Sequence, residues 1–231
     1  PESFTEPLDI YRIARDRGMT HVTIADHNRI EGALEIAHLP NTFVSEEITT
    51  YFPEDGCKLH VLALNITEVQ HDDIQKLRAN VFDLVAYLQT NGIIHVLAHA
   101  LYAVNDRLTL AHFEKLLLLF KNFELNGARN DIANAGLTAV LEALTPETIA
   151  ELSAHHGITP QFADPWEKGL TGGSDDHSSL HIARTYTDIP GARSVEEGLA
   201  AIESGGSTVV RRASQPQTMA QNFYSIAYQY Y

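Results

Sequence analysis

An α/β fold of the (β/α) barrel type is expected for this 231-residue chain, and three observations carry the expectation. Apolar, β-branched runs alternate with helical patterns along the chain, which argues for parallel strands joined by crossover helices. Polar, metal-capable side chains fall at the ends of those runs, where a parallel barrel gathers them around one mouth. An open doubly wound sheet would normally show a glycine-rich phosphate loop after its first strand, and none follows here. The length suits one sizeable core.

Each element follows from local pattern. A helix is expected over 8–17, with Leu8, Ile10, Ile13 and Ala14 apolar and Gly18 at the stop position. The β-branched run 21–25 reads as a strand ending in Asp26-His27-Asn28, followed by a helix over 29–38. A strand over 42–45 runs into Glu46-Glu47, and 58–66 forms another. The stretch 72–89 reads as one long amphipathic helix, 93–98 as a strand, 108–120 as a helix and 122–125 as a short strand. One or two helices fill 131–155, and 157–169, broken by Pro160, Pro165 and Trp166, reads as a surface loop feeding a strand over 170–174. Phe223, Ile226, Ala227 and Tyr230 recur at helical spacing, so 213–231 is expected to be a C-terminal helix that packs on this domain or leads to another.

Composition narrows the function. The net charge is −14, with 16 Lys and Arg against 30 acids, which leaves no reserve of cations for a run of phosphates and disfavours nucleic acid as a partner. The single cysteine, Cys57, excludes an internal disulfide framework and multi-cysteine zinc motifs, whereas 12 histidines supply ample nitrogen donors. No window approaches the roughly 18 consecutive apolar residues of a membrane span, and no signal pattern opens the chain, so a cytoplasmic location is expected.

The chemistry-bearing residues sit at strand ends. Asp26 and His27 close one strand, Glu46 and Glu47 the next, His99 another, and Asp175 and His177 follow the last. His60 is the exception, lying near the start of 58–66. Convergent imidazole and carboxylate is what a divalent cation requires. Taken alone, Asp175-Asp176-His177 reads as a turn or helix cap. In an extended segment, however, Asp175 and His177 face one way and Asp176 the other. Asp26 is placed to orient a ring nitrogen from outside the ligand set. Alternation alone leaves open whether Glu46 or Glu47 faces inward. His95 reads as structural, and His38, His71, His112, His155 and His156 as surface residues. Nucleophilic catalysis finds little support, because Ser174 lacks a Gly-x-Ser-x-Gly frame and Cys57 sits in a turn-like stretch.

The ordered motifs Thr23-Ile24-Ala25-Asp26-His27-Asn28, Ser45-Glu46-Glu47-Ile48-Thr49, Lys58-Leu59-His60-Val61-Leu62-Ala63-Leu64, Leu97-Ala98-His99 and Gly173-Ser174-Asp175-Asp176-His177 resemble those of the polymerase and histidinol phosphatase (PHP) family over roughly residues 8–210. The resemblance implies an irregular seven-stranded barrel and two or three divalent ions (Mn, Zn or Fe). It also implies hydrolysis of a phosphate ester by metal-activated water. Its implied ligands are His27, Glu47, His60, His99, Asp175 and His177, with Glu47 bridging. It thereby selects Glu47 over Glu46 and promotes His60. The family opens with a His-x-His strand that nothing before Asp26 supplies, so the barrel is expected to lack its first strand in this chain and the natural protein to have it. The family's proline after the residue matching His99 is replaced by Ala100.

The expected organisation is a metal-dependent hydrolase domain over 1–212 and the C-terminal helix, with a small phosphorylated metabolite or nucleotide as substrate. Arg129 and Arg184 are candidate phosphate contacts. Two rivals remain. A metal-dependent amidohydrolase shares the barrel and histidine ligands but typically relies on a lone Asp after its last strand. A non-catalytic module would instead regulate a covalently linked second domain.

Overall fold

The computed structural model describes residues 5–129 and 131–211. The predicted C-terminal helix lies outside the described residues. In chain order the elements are α1 (Pro7–Asp16), β1 (Ala25–His27), α2 (Glu31–Ile36), β2 (Ser45–Tyr51), β3 (Lys58–Leu64), α3 (Glu68–Leu77), α4 (Val81–Thr90), β4 (Ile94–Leu97), α5 (Leu110–Leu119), β5 (Asn122–Asn126), α6 (Asp131–Glu142), α7 (Pro146–His156), β6 (Gly169–Gly173), β7 (Thr185–Asp188), α8 (Val195–Glu203) and β8 (Thr208–Arg211). Among the described residues, no helix is long and apolar enough to cross a membrane.

Six strands form one sheet in the order β1-β2-β3-β4-β5-β6, and β7 and β8 form a separate antiparallel pair. The all-parallel expectation is corrected at β3, which runs antiparallel to both β2 and β4. Only six residues, 52–57, link β2 to β3, too few for a crossover helix, so a hairpin is the only connection available. The β1–β2, β4–β5 and β5–β6 pairs are parallel as expected. A seven-stranded closed barrel is not formed by backbone pairing among the described residues; the sheet instead has β1 and β6 as its edges. Side chains bridge part of the gap. Ile182, in the segment after β6, packs with Ala14, Val22, Ile24, Ala33 and Ile36 around α1, α2 and β1, and Arg17 donates to the Ile182 carbonyl.

The main core lies between the sheet and α3, α4 and α5. Ile48, Val61, Leu97 and Phe123 from the strands meet Ile74, Leu84, Leu88, Leu116 and Phe120 from the helical side, all fully buried. The predicted single helix over 72–89 is two helices. Asn80 interrupts it, because its side chain accepts from the Phe82 N–H and caps α4. Similar caps at Thr67, Thr109, Thr145 and Ser194 begin α3, α5, α7 and α8.

Candidate metal centre

The reversed β3 explains why His60 stands near the start of its strand. In the β2–β3 hairpin Thr49 pairs with His60, and the Ala98 N–H bonds to the His60 carbonyl, so the start of β3 lies beside the end of β4. His99 follows immediately, with its backbone in the left-handed region at φ 32°. On the other side, β1 pairs in parallel with β2 so that His27 lies opposite Glu47. Asn28, at φ 55°, extends this ladder: its N–H reaches the Glu47 carbonyl and its side chain exchanges hydrogen bonds with Thr49.

These strands bring four side chains together. Glu47 Oε1 lies 3.0 Å from His60 Nδ1 and 3.3 Å from His99 Nε2, those two ring nitrogens are 3.1 Å apart, and Glu47 Oε2 is 3.8 Å from His27 Nε2. Beyond them, Asp175 Oδ1 is 3.7 Å from His177 Nδ1, and Asp175 Oδ2 accepts from Asn126 Nδ2 at 3.0 Å. Glu124 joins the two groups, since its Oε2 accepts from the His99 N–H at 3.2 Å and from Asn126 Nδ2 at 2.9 Å. Arg129 stands at Asp175, with Nη2 3.7 Å from Oδ2 and its guanidinium carbon 3.7 Å from the Tyr102 ring centroid.

Burial and charge shape the group. Burial alone would raise the Glu47 pKa, but hydrogen bonds from His60 and His99 outweigh it and hold the carboxyl far below the usual range. Burial lowers the His60 pKa. The His99 pKa is raised despite its burial, by the Glu47 hydrogen bond and the Glu124 charge. Glu124, fully enclosed and beside Asp175, is pushed up to about 7. Asp26 is also raised, first by burial and then by Glu31, with His27 and His177 pulling the other way.

Of the residues singled out from the sequence, His27, Glu47, His60 and His99 meet directly, and Asp175 and His177 face each other. The reason given for the last pair is corrected. Asp175 has φ 44°, so the segment turns after Gly173 and is not extended. Asp176 makes a turn, one of the two readings the tripeptide alone implied, accepting from the Ser178 N–H and hydroxyl. Glu46 and Glu47 lie within β2 and not past its end. Glu46 is fully buried on the opposite face, where His71 and Gln75 meet its Oε2 at 3.0 and 2.9 Å. Arg184 turns to His181 Nδ1 at 3.0 Å and, with Arg17, Leu180, Ala183 and Tyr186, lines a cavity of about 460 Å³. His112 is not a surface residue: it is buried, stacked on Phe52, and completes the α5 capping box. His95 is structural as expected, bonded to the Ile93 carbonyl and set edge-on to Phe120.

Sequence reasoning missed Glu124 and Asn126. The available signal was their shared parity with Asn122 on a strand in which every residue is buried. Three polar side chains on one face of a buried strand need partners.

The donor set fits a divalent ion. His27, Glu47 and His60 can each offer one atom, all within 4.8 Å of one another. The 3.0–3.3 Å spacings among Glu47, His60 and His99 are close to the roughly 3.3 Å edge of a tetrahedron with bonds of about 2.0–2.1 Å. His60 Nε2 is buried without a hydrogen-bond partner among the described residues, an arrangement costly for an ordinary core histidine.

No family model matches the sequence, and no curated protein does. Several solved structures share the fold. PsfC from Pseudomonas syringae PB-5123 aligns over 100% of this chain and 93% of its own, at TM-score 0.57 and 13% identity. An amidohydrolase from Chromobacterium violaceum aligns over 89% and 92%, at TM-score 0.52 and 14% identity. A metal-dependent phosphoesterase from Bifidobacterium adolescentis, so described from prediction, aligns over 88% and 92%, at TM-score 0.50 and 13% identity. These alignments show that the chain shares its fold with solved structures described as a metal-dependent phosphoesterase and as an amidohydrolase.

Proposed function

We propose that this protein uses divalent metal ions to hydrolyse a phosphate ester, its substrate being a small phosphorylated metabolite or a nucleotide. The observation that carries the reading is the cation at the edge of the donor cluster. Arg129 is held between the Tyr102 ring and Asp175, at the end of the Glu124–Asn126–Asp175 hydrogen-bond chain. A guanidinium fixed in that way presents N–H groups to an oxyanion, which a phosphoryl group supplies and a neutral amide does not.

His27, Glu47, His60, His99, Asp175 and His177 would hold the ions. Bound ions supply an acidified water and offset charge on the phosphoryl oxygens. The chain's own residues do the positioning. Before an ion binds, Glu47 is kept ionised by hydrogen bonds from His60 and His99, so the carboxylate is ready to ligate. Asn126 and Arg129 orient Asp175 from two sides. Glu124 fixes the backbone turn at His99. The acidic surface, at net charge −14, favours a small substrate over a long polyanion.

The test is inorganic phosphate release from a panel of small monoesters with added Mn²⁺ or Zn²⁺, run beside amide and lactone substrates. Phosphate release is expected, abolished by EDTA and restored by metal. Arg129→Ala should lower kcat/KM by about tenfold or more, each factor of ten being about 1.4 kcal/mol. Amide turnover without phosphate release would overturn the proposal in favour of an amidohydrolase, and absence of both bound metal and turnover in favour of a non-catalytic module.

A further inference from the structure

A second group of metal-capable side chains lies in the helical layer. The helices α5 and α7 pack together, and α7 ends in His155-His156, stopped by Gly157 in the left-handed conformation at φ 66°. Glu114, from the middle of α5, reaches this end: its Oε2 lies 2.7 Å from His156 Nε2. The two imidazoles sit edge to face, with centroids 4.5 Å apart at 76°. One ligand atom from each of Glu114, His155 and His156 lies within 4.8 Å of the others.

We propose that Glu114, His155 and His156 form a second metal site, selective for Zn²⁺ or a similar borderline divalent ion, that clamps α7 to α5. The chemistry of the set supports this assignment. Two neutral imidazoles and one carboxylate suit a borderline cation, whereas Mg²⁺ and Ca²⁺ prefer oxygen-rich shells. Glu114 and His156 are partly shielded and His155 is exposed, so three protein ligands face an open side where water completes the shell. The short Glu114–His156 hydrogen bond uses atoms that would bind the ion, so binding replaces that hydrogen bond, and the neutral imidazole carries its proton on Nδ1 while the Nε2 lone pair takes the metal.

The site is separate from the donor cluster. The end of α7 leads through 157–168 into the start of β6, whereas Asp175 and His177 lie past the other end of that strand. An ion between the helices would join two segments that flank β5 in sequence, and its contribution is to stability, with no part in turnover. The inference therefore stands whether or not the proposed hydrolase reading does.

The experiment is equilibrium dialysis of the purified chain against Zn²⁺ with metal analysis, comparing wild type, the His155→Ala/His156→Ala double variant and Glu114→Gln. The double variant should bind one equivalent fewer. Glu114→Gln, close in shape and chosen to preserve folding, should weaken that equivalent by at least about tenfold, the low end of what losing even an outer partner of a metal ligand costs. His60→Ala, by contrast, should leave this equivalent in place while losing ions at the donor cluster. Equal stoichiometry and affinity in wild type and Glu114→Gln would overturn the proposal, as would loss in His60→Ala of the same equivalent that the double variant loses.

Discussion

Glu124 is an acid placed where an ionised acid is least welcome, fully enclosed and beside Asp175, and its pKa is raised from 4.5 to about 7. The folded chain therefore keeps a proton that the unfolded chain releases between about pH 4.5 and 7. Without metal, Glu124 thus makes stability fall as pH rises through that window, because the folded state binds more protons. Glu124→Gln keeps the amide-sized side chain and removes the titration. In EDTA, the fall in Tm across the window should be shallower in the variant than in wild type, and parallel curves would contradict the assignment. The other site residues, His60 excepted, were more visible in the sequence, because a polar side chain closing an apolar run is conspicuous there. Glu124 and Asn126 sit inside a short buried strand, and burial is a property of the fold that local pattern does not report.

At the scale of elements, the pattern gave strand and helix identity more readily than direction or interruption. The strand expected over 58–66 was legible and is present as β3 over Lys58–Leu64, yet its reversal follows from a six-residue link whose meaning depends on where the next strand goes. That reversal is why His60 required a family resemblance to be noticed. The long helix expected over 72–89 kept its apolar spacing across a break, so periodicity missed the cap at Asn80. The Asn80 side chain accepts from the Phe82 N–H at 3.0 Å and also donates to Asp83 at 2.9 Å. Asn80→Ala should cost about 1 kcal/mol, measured as a lower denaturation midpoint at unchanged m-value. No loss of stability would mean that packing alone starts α4.

For the whole molecule, the six-stranded sheet carries its chemistry at both edges. His27 lies on β1 and Asp175 follows β6, so the complete donor set exists only while the sheet is curled and the segment around Ile182 packs against β1. Metal binding at the donor cluster should therefore stabilise the fold as a unit. Mass action gives about 2.7 kcal/mol at a free metal concentration of about 100 times Kd. A Tm rise with Mn²⁺ that is reversed by EDTA and much reduced in His177→Ala would show this, and a rise unchanged in that variant would place the stabilising ion elsewhere. Barrel class was readable from alternation and strand-end chemistry. Curling was not, because it depends on contacts between the two ends of the described chain.

The β2–β3 hairpin makes Glu47 and His60 neighbours by register, through a ladder that runs without interruption from Ser45 opposite Leu64 to Tyr51 opposite Lys58. Glu46 and Glu47 occupy opposite faces of that ladder, one under α3 and the other among the histidines. The identity of the carboxylate at the centre is thus a matter of counting. Residues added to the turn over 52–57 lengthen a loop, but deletion of a single residue of β2 between Glu47 and Tyr51 shifts the preceding part of the strand by one pleat. It would turn Glu47 toward α3 and offer Glu46 to the histidines, so a frame of identical chemistry would be rebuilt around the neighbouring acid.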